Sequence, residues 1–256
     1  MNNENGCEGG QISCYLLSYE ITKINESTKK PTLFYNKKMK KKKQKYIIGI
    51  DEVGRGPLAG PVTVAAVVLP KNLESRIKNL ELPLRDSKRL SSRQREIWFD
   101  YIKAHPKIFY ALASVSPKII DKINISQAAN LAARRALKRL SDYYKLQKGA
   151  GKILLDGGLK ISPPKYLKPK SYKLKTLIRG DEKIPAIMLA SIVAKVSRDR
   201  LMTKLHKKYP RYGFSQHKGY GTKKHIKAIK KYGPSKVHRL TFLRKILRIN
   251  PKDKLF

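Results

Sequence analysis

Two adjacent carboxylates, Asp51 and Glu52, follow the apolar run Tyr46–Ile50, which predicts a buried strand. Acidic residues are scarce in this chain, since 18 Asp and Glu stand against 58 Lys and Arg. Neighbouring carboxylates at the end of a buried strand repel each other and are costly to keep ionised. A divalent cation relieves that repulsion, because hard cations prefer carboxylate oxygens. The pair therefore predicts a metal site, with a purely structural role for both acids as the alternative.

Two more predicted strands lead into an acid. Asp156 follows the run Ile153–Leu155, and Asp181 comes shortly after the run Tyr172–Ile178. Sites in α/β sheets form at strand ends, so neighbouring strands would bring these acids to one edge. Four carboxylates there could hold two divalent ions about 4 Å apart, which would activate a water and stabilise a leaving oxygen. The alternatives are a turn role for Asp156, because Asp is common before Gly in turns, and an ordinary exposed role for Glu182 beside Asp181.

A glycine-rich segment begins directly after the paired acids, with Gly54, Arg55 and Gly56. Glycines let a backbone approach a ligand closely, and exposed amides bind anionic or hydroxyl oxygens. Farther along, Ser87 and Lys88 offer a hydroxyl and an ammonium group for a phosphate. For these two residues the alternative is a plain entry into the helix that follows.

The charge of the chain is extreme, at a formal +40. Residues 1–45 hold ten lysines and four glutamates, so the remaining residues carry +34 of that total. Such a field attracts polyanions, and it makes their binding weaken steeply with salt. Nucleic acid is the first candidate partner and an anionic membrane the second. A general enrichment in lysine, unrelated to function, is the alternative source of the excess.

One large domain is predicted for residues 46–256, because 41% of the chain is hydrophobic. Residues 1–45 are predicted to be a disordered, lysine-rich N-terminal extension. No apolar stretch approaches the roughly 20 residues of a membrane span, and the N-terminus has no secretory pattern. Cys7 and Cys14 match no zinc spacing, which favours free thiols in a reducing cytoplasm.

Strand and helix signals alternate along this domain. The predicted strands are Tyr46–Ile50, Val62–Leu69, Ile108–Val115, Lys152–Leu155 and Tyr172–Ile178. The first two are expected to pair antiparallel, because only glycines, prolines and a few other residues separate them. Helices are predicted at about 125–146, at about 185–207, and after a capping box at Ser91–Gln94. This pattern predicts an α/β fold, a mixed sheet flanked by helices.

From about residue 208 onward the chain is basic, and it is predicted to form a basic helical C-terminal part. Five aromatic residues are interleaved there: Tyr209, Tyr212, Phe214, Tyr220 and Tyr232. Such a mixture suits phosphate contacts together with stacking on sugars or bases. Inward packing of these aromatics is the alternative. The proline- and lysine-rich tract 162–170 predicts a basic surface loop.

In their order and length, six segments resemble the type 2 ribonucleases H, specifically bacterial ribonuclease HII. The segments are GIDEVGRGPLAGPV from Gly49, LRDSKRLS from Leu84, LLDGG from Leu154, IRGDEKIPAIMLASIVAKVSRDR from Ile178, HKGYGTKKH from His217 and GPSKVHRLTF from Gly233. The match runs from about residue 46 to about residue 242. The Gly-Arg-Gly loop favours ribonuclease HII over ribonuclease HIII.

The resemblance implies a ribonuclease H-like fold and a metal-dependent endonuclease that uses Mg²⁺ or Mn²⁺. Its substrates would be RNA–DNA hybrids, whose RNA strand it hydrolyses, and duplex DNA that contains ribonucleotides. Incision would occur 5′ to a single embedded ribonucleotide and leave 3′-hydroxyl and 5′-phosphate ends. The corresponding expectation is a monomeric cytoplasmic enzyme of ribonucleotide excision repair, with no membrane partner.

By family motif, four acids would bind the metal ions and carry catalysis: Asp51, Glu52, Asp156 and Asp181. The segment Gly54–Gly56 would recognise the ribose 2′-hydroxyl at the cleavage position. Tyr220 would pack against the next sugar and disfavour a 2′-hydroxyl there, while Ser87 and Lys88 would contact phosphate. Since the 2′-hydroxyl distinguishes RNA from DNA, this pair of checks would select an RNA-to-DNA junction.

Two other functions stay open at this point. A different two-metal nuclease or strand-transfer enzyme on the same sheet would cut all-DNA substrates, and the Gly-Arg-Gly loop argues against it. A non-catalytic nucleic-acid-binding protein would rely on charge alone. It has no use for converging carboxylates, which repel phosphate when no metal is bound.

Overall fold

The computed structural model describes residues 46–144, 151–162 and 172–248 of the chain. The predicted N-terminal extension, residues 1–45 with Cys7 and Cys14, lies outside these ranges. Nearly all of the predicted basic loop at 162–170 lies outside them as well. What the sequence predicts for those segments therefore stays a prediction.

A five-stranded mixed sheet forms the centre of the described chain. Its strands are β1 (Tyr46–Val53), β2 (Val62–Pro70), β3 (Phe109–Val115), β4 (Gly151–Asp156) and β5 (Tyr172–Leu177). In the order β3-β2-β1-β4-β5, the pairs β1–β2 and β2–β3 are antiparallel, and the pairs β1–β4 and β4–β5 are parallel. The predicted mixed sheet and the antiparallel pairing of its first two strands are confirmed.

Helices flank this sheet. They are α1 (Glu74–Lys78), α2 (Ser92–Ala104), α3 (Pro117–Ile123), α4 (Ile125–Tyr144), α5 (Gly180–Lys183), α6 (Pro185–Lys208), α7 (Phe214–His217), α8 (Lys223–Tyr232) and α9 (Leu240–Leu247). The predicted capping box is present at the start of α2, where Ser91 and Gln94 each accept a hydrogen bond from the other's backbone N–H. Among the described residues, no helix has the length and apolar character needed to cross a membrane.

β1 continues three residues beyond its predicted end, so Asp51 and Glu52 lie within the strand and not after it. Every residue of β2 is buried, and β2 pairs with β1 as far as the partners Val53 and Thr63. The apolar run that predicted β1 stops at Ile50, but the backbone ladder does not depend on side-chain polarity. The two acids therefore project from a backbone that pairs with β2, directly after the last residue of β1 that pairs with β4.

Two hydrophobic clusters cover the two faces of the sheet. On one face, α4 contributes a stripe of small side chains: Ala128, Ala129, Ala132, Ala133 and Ala136. On the other face, α2 and α6 contribute larger ones, among them Trp98, Phe99, Leu189, Ile192 and Val193. Because both faces of β2 and of the centre of β1 are covered, these strands form the most enclosed part of the sheet.

Gly49 allows the first turn of α6 to lie directly on β1. A β-carbon at this position would lie 2.1 Å from the carbonyl carbon of Ala186, a distance that no real β-carbon contact shows. The contact is made two residues before Asp51. It therefore fixes how far the N-terminal end of α6 stands from the acid pair.

The C-terminal part packs around a third cluster, which includes Met202, Tyr212, Phe214, Ile229 and Leu243. Two of the five interleaved aromatics, Tyr212 and Phe214, are thus buried side chains of this core. By contrast, Tyr220 and Tyr232 are each 43% exposed. The alternative of inward packing is therefore correct for Tyr212 and Phe214, whereas Tyr220 and Tyr232 have exposed rings.

Candidate active site

Three of the four predicted acids converge where β1 and β4 end. One carboxylate oxygen from each of Asp51, Glu52 and Asp156 lies within 4.8 Å of the other two. The convergence follows from the sheet, because β1 and β4 are parallel neighbours and pair up to Ile50 and Leu155. The next residue on each strand is an acid, so both carboxylates leave the same edge.

Burial makes this cluster unfavourable when every carboxylate is charged. Burial raises the pKa of Asp51 well above its usual value, and the charges of Glu52 and Asp156 raise it further. Burial also raises the pKa of Glu52, which the Arg55 guanidinium lowers in part and the charge of Asp156 raises again. One oxygen of Glu52, Oε2, is buried without a hydrogen-bond partner among the described residues. A divalent cation is bound by several carboxylate oxygens, and it would relieve the repulsion between these three acids. The unpartnered Oε2 of Glu52 is one such oxygen, so the residues present fit such an ion.

Asp181 comes shortly after the end of β5, as the sequence predicts, but it lies on a short helix and not on the strand itself. Arg179 adopts a left-handed conformation (φ 54°, ψ 44°) that ends the extended chain, and Asp181 is the second residue of α5. The N–H of Gly180 donates to Oδ1 of Asp156 at 2.8 Å, which places this short helix beside the acid cluster. Asp181 is buried while Glu182 is exposed, as expected for an ordinary surface acid.

Lys88 forms an ion pair with Asp181, and its neighbour Ser87 contacts α6. The Lys88 side chain is 78% exposed, and its Nζ lies 3.2 Å from Oδ2 of Asp181. Ser87 is buried, and its hydroxyl pairs with that of Ser191 on α6 at 2.8 Å. The ammonium group is therefore open to a phosphate, whereas the hydroxyl is engaged inside the protein. Phosphate contact stays a prediction for both residues.

The glycine loop that follows β1 borders the cluster. Gly54 has φ +90°, a conformation that favours glycine, and the loop turns away from the strand there. The Arg55 guanidinium donates to Glu52 Oε1 at 3.3 Å, to the Gly158 carbonyl at 2.9 Å and to the Ser126 hydroxyl at 3.1 Å. A β-carbon at Gly56 would lie 3.9 Å from Cε1 of Tyr220, so the loop and the exposed tyrosine ring are neighbours.

Two arginines that the sequence motifs did not single out lie beneath this loop, Arg198 on α6 and Arg239 directly before α9. Both are 0% exposed, and their donors bind loop carbonyls. A signal was available for the first. Arg198 lies four residues after Ala194 and four before Met202, and both of these neighbours on the helix face are buried. No comparable spacing marks Arg239, which lies outside a helix.

Three histidines, His217, His225 and His238, pack together beside the backbone of Tyr220. Their hydrogen bonds require neutral rings. His225 Nδ1 donates to the Tyr220 carbonyl at 2.8 Å, so its Nε2 accepts from His238 Nε2 at 3.1 Å. His238 Nδ1 in turn accepts from the N–H of Ser235 at 2.9 Å. The ring of His217 stacks on that of His225 with centroids 4.4 Å apart. A proton added to His225 Nε2 or to His238 Nδ1 would therefore point at another N–H donor.

These neutral rings predict how stability changes with pH. Burial lowers the pKa of both His225 and His238 to about 4, and the neighbouring ring of His217 opposes the charging of both, as His225 does for His238. In the unfolded chain a histidine takes up a proton near pH 6.5. The unfolded state therefore binds more protons below that pH, and the free energy of unfolding is expected to fall between about pH 6.5 and pH 4, by roughly 2 kcal/mol per ring at pH 5.

The direct measurement is the ring-proton NMR shift of the two histidines. Both shifts should stay constant from about pH 8 to about pH 5.5, and a titration midpoint near 6.5 for either ring would contradict the assignment. Thermal unfolding alone is a weaker readout. The raised pKa values of Asp51 and Glu52 act in the opposite direction, because those groups hold protons in the folded state that they release on unfolding.

Comparison with known proteins identifies relatives over nearly the whole of the described chain. The sequence model of the family Ribonuclease HII matches residues 48–245. A ribonuclease HII of Endomicrobium trichonymphae is 47% identical over 196 residues, which cover 77% of this chain and 84% of that protein. The match confirms the family resemblance read from the six segments.

Solved structures show the same fold. The ribonuclease H2 of Pyrococcus horikoshii OT3 is 27% identical with a TM-score of 0.62, and the match covers 80% of this chain and 100% of that one. Bst-RNase HIII, solved in complex with Mn²⁺, is 19% identical with a TM-score of 0.60, covering 82% of this chain and 71% of that one. At that identity the second likeness concerns the fold alone. The ribonuclease H-like α/β fold is thereby confirmed.

Proposed function

The chain belongs to the ribonuclease HII family and is a ribonuclease H, and we propose that it incises duplex DNA 5′ to single embedded ribonucleotides. Hydrolysis of the RNA strand in RNA–DNA hybrids by two-metal-ion chemistry is general for this family. The proposal adds the RNA-to-DNA junction as a substrate and 3′-hydroxyl and 5′-phosphate ends as products. One observation carries it: the loop Gly54–Gly56 contacts the acid cluster through Arg55 and has the ring of Tyr220 as a neighbour at Gly56.

Asp51, Glu52 and Asp156 would hold the divalent metal that the family requires, with Asp181 completing the set. We propose Mg²⁺ or Mn²⁺, since both prefer oxygen ligands. When bound, such ions supply an activated water and stabilise charge on the phosphate and the leaving oxygen. The chain's part is to hold the carboxylates in place. The Gly180 N–H orients Asp156, and the Arg55 guanidinium orients Glu52.

Recognition of the substrate divides between the loop and the tyrosine. The loop amides are proposed to meet the 2′-hydroxyl of the ribonucleotide at the cleavage position. The exposed ring of Tyr220, next to Gly56, is proposed to pack on the following sugar, where a 2′-hydroxyl would be unfavourable. Lys88, and Ser87 behind it, are proposed to contact phosphate. The basic field would position the duplex without reading its sequence.

Cleavage of an end-labelled DNA duplex that contains one ribonucleotide tests this function. The reaction is run with Mg²⁺, with Mn²⁺ and with a chelator, beside an all-DNA duplex of the same sequence. Metal-dependent incision 5′ to the ribonucleotide with the control duplex intact is expected. Incision of both duplexes would favour a general two-metal nuclease, and binding of both without incision would favour a non-catalytic protein. We also propose that the enzyme acts as a cytoplasmic monomer in ribonucleotide excision repair.

Tyr220→Ala is expected to lower the rate of incision at a single ribonucleotide by about tenfold, because base- or sugar-stacking on one aromatic ring contributes roughly 1–3 kcal/mol. Incision of a continuous hybrid should fall less, since the following sugar there carries a 2′-hydroxyl and gains less from the ring. Tyr232→Ala is the matched control, because Tyr232 is equally exposed in the same basic region. Equal rates for Tyr220→Ala and the unaltered enzyme would remove this residue from recognition.

A further inference from the structure

Two buried guanidinium groups hold the glycine loop through its carbonyl oxygens. Arg239 donates from Nη2 to Gly54 at 2.6 Å, from Nη1 to Arg55 at 2.8 Å and from Nε to Gly60 at 3.0 Å. Each arginine thus binds three carbonyls. Those of Arg198 belong to Ala59, Pro61 and Lys218, at 3.2, 3.2 and 3.0 Å.

This arrangement is costly for stability alone. Both side chains are fully buried, and within the described ranges no ion pair involves either of them. Burial lowers the pKa of both guanidinium groups, that of Arg239 to about 9, where the nearby charge of Arg198 adds to the effect. Well-packed apolar residues usually fill such a space at lower cost. The presence of two buried cations is explained if the loop needs their hydrogen bonds to hold its carbonyl oxygens in place.

Peptide geometry shows what Arg239 does to the loop. A trans peptide is planar, so the carbonyl of one residue and the N–H of the next point in opposite directions. The described chain has no cis peptide. Because the Gly54 and Arg55 carbonyls turn inward to Arg239, the N–H groups of Arg55 and Gly56 turn away from it. Neither N–H donates to another described residue. Two parallel donors are thereby left for a ligand.

Arg198 connects the loop to the segment that carries Tyr220. Its guanidinium binds Ala59 and Pro61 on one side and Lys218 on the other. A backbone bond from the Leu58 N–H to the Gly219 carbonyl, at 2.8 Å, runs beside it. This side chain, together with that backbone bond, therefore sets the distance between the loop and the segment that carries the tyrosine ring.

We propose that Arg239 and Arg198 are positioning residues that determine substrate specificity, an inference that rests on the proposed function. Arg239 aims the Arg55 and Gly56 amides at the 2′-hydroxyl. Arg198 sets the spacing between those amides and Tyr220 so that one sugar meets each. Lysine cannot replace either residue, because a single ammonium lacks the planar fork that reaches three separate carbonyls.

Binding in a cleavage-deficient Asp51→Asn background tests Arg239. The ratio of the affinity for a duplex with one ribonucleotide to that for an all-DNA duplex measures what the 2′-hydroxyl contributes. Arg239→Lys should reduce this ratio by about tenfold, the value of one good hydrogen bond, while all-DNA affinity stays the same. A folded variant whose ratio is within about twofold of the parent overturns the role of Arg239. A parent that shows no preference for the ribonucleotide would instead overturn the proposed function.

Cleavage kinetics test Arg198. Arg198→Lys should lower kcat/KM at a single ribonucleotide about tenfold more than on a continuous hybrid, because only the former depends on the spacing to the deoxy sugar. A merely structural role would lower both values together and leave their ratio unchanged, which overturns the proposal. Arg200→Lys is the control on the same helix, since Arg200 is exposed and pairs with Glu96. It should leave the ratio unaltered.

Either lysine variant could fail to fold, so two further measurements complete the test. Arg239→Gln and Arg198→Gln remove the buried charge and keep two N–H donors, and they should show the same direction of change. The Asp51→Asn protein itself gives an independent readout. Its Arg55 and Gly56 amide NMR signals should shift on binding the ribonucleotide duplex but not the all-DNA duplex. Equal shifts with both duplexes would overturn the recognition of the 2′-hydroxyl by these amides, which is part of the proposed function, and the role of Arg239 with it.

Discussion

Asp51→Asn is expected to lower the rate of cleavage at least about a thousandfold and to raise the stability of the metal-free protein. Cleavage falls because a metal ion contributes several kcal/mol of charge stabilisation, and each 1.36 kcal/mol is a factor of ten in rate. Stability rises because the amide fills the same space without a charge. In the native protein, burial and the charges of Glu52 and Asp156 oppose ionisation of this group.

The free energy of unfolding of the metal-free protein should rise, because the amide removes the burial cost and the repulsion that oppose a charge at this position. Thermal unfolding with and without Mn²⁺ measures it. Mn²⁺ should raise the midpoint of the native protein, because binding to the folded state alone stabilises it, and raise that of Asp51→Asn much less. Asp100→Asn, a change at an exposed acid on α2, is the control and should alter neither the midpoint nor the rate. A less stable Asp51→Asn protein would show that the acid cluster is not under repulsion.

Gly49→Ala is expected to destabilise the fold by at least about 3 kcal/mol, the upper part of the range for overpacking. The added methyl would lie 2.1 Å from the Ala186 carbonyl carbon and 2.4 Å from the Ile187 nitrogen, and backbone atoms cannot rotate out of the way. Helix α6 would have to move off β1. Since both elements belong to the core and α6 carries Arg198, activity should be lost together with stability.

Chemical denaturation of Gly49→Ala and of Gly56→Ala distinguishes a steric clash from the general effect of replacing glycine by alanine. Both variants exchange glycine for alanine within the same segment of chain. At Gly56 the nearest atom to the added carbon would be 3.9 Å away, an ordinary contact, so its free energy of unfolding should stay within about 1 kcal/mol of the native value. Similar denaturation midpoints for the two variants would mean that α6 and β1 are not packed as closely as described.

Local patterns were sufficient for the five strands, for the three longest helices and for the first part of the site. The strands could be predicted because apolar, β-branched runs such as Val62–Leu69 favour a strand whatever surrounds them. The capping box at Ser91–Gln94 could be predicted because its two hydrogen bonds join residues three apart. Asp51 and Glu52 stood out for a similar reason, since adjacent acids after an apolar run are visible without any partner.

The amino-acid sequence by itself determined the α/β pattern, the basic field, the paired acids and the family to which the chain belongs. The sequence also predicted that Asp156 joins the acid pair, but only the tertiary structure decided that Asp181 approaches from a short helix and that Arg198 and Arg239 bind the loop from below. The physical reason is sequence separation. Arg239 reaches the carbonyl of Gly54 across 185 residues, and no local rule of spacing or propensity encodes a contact between segments so far apart. Such contacts exist only once the sheet, α6 and the C-terminal part have packed together.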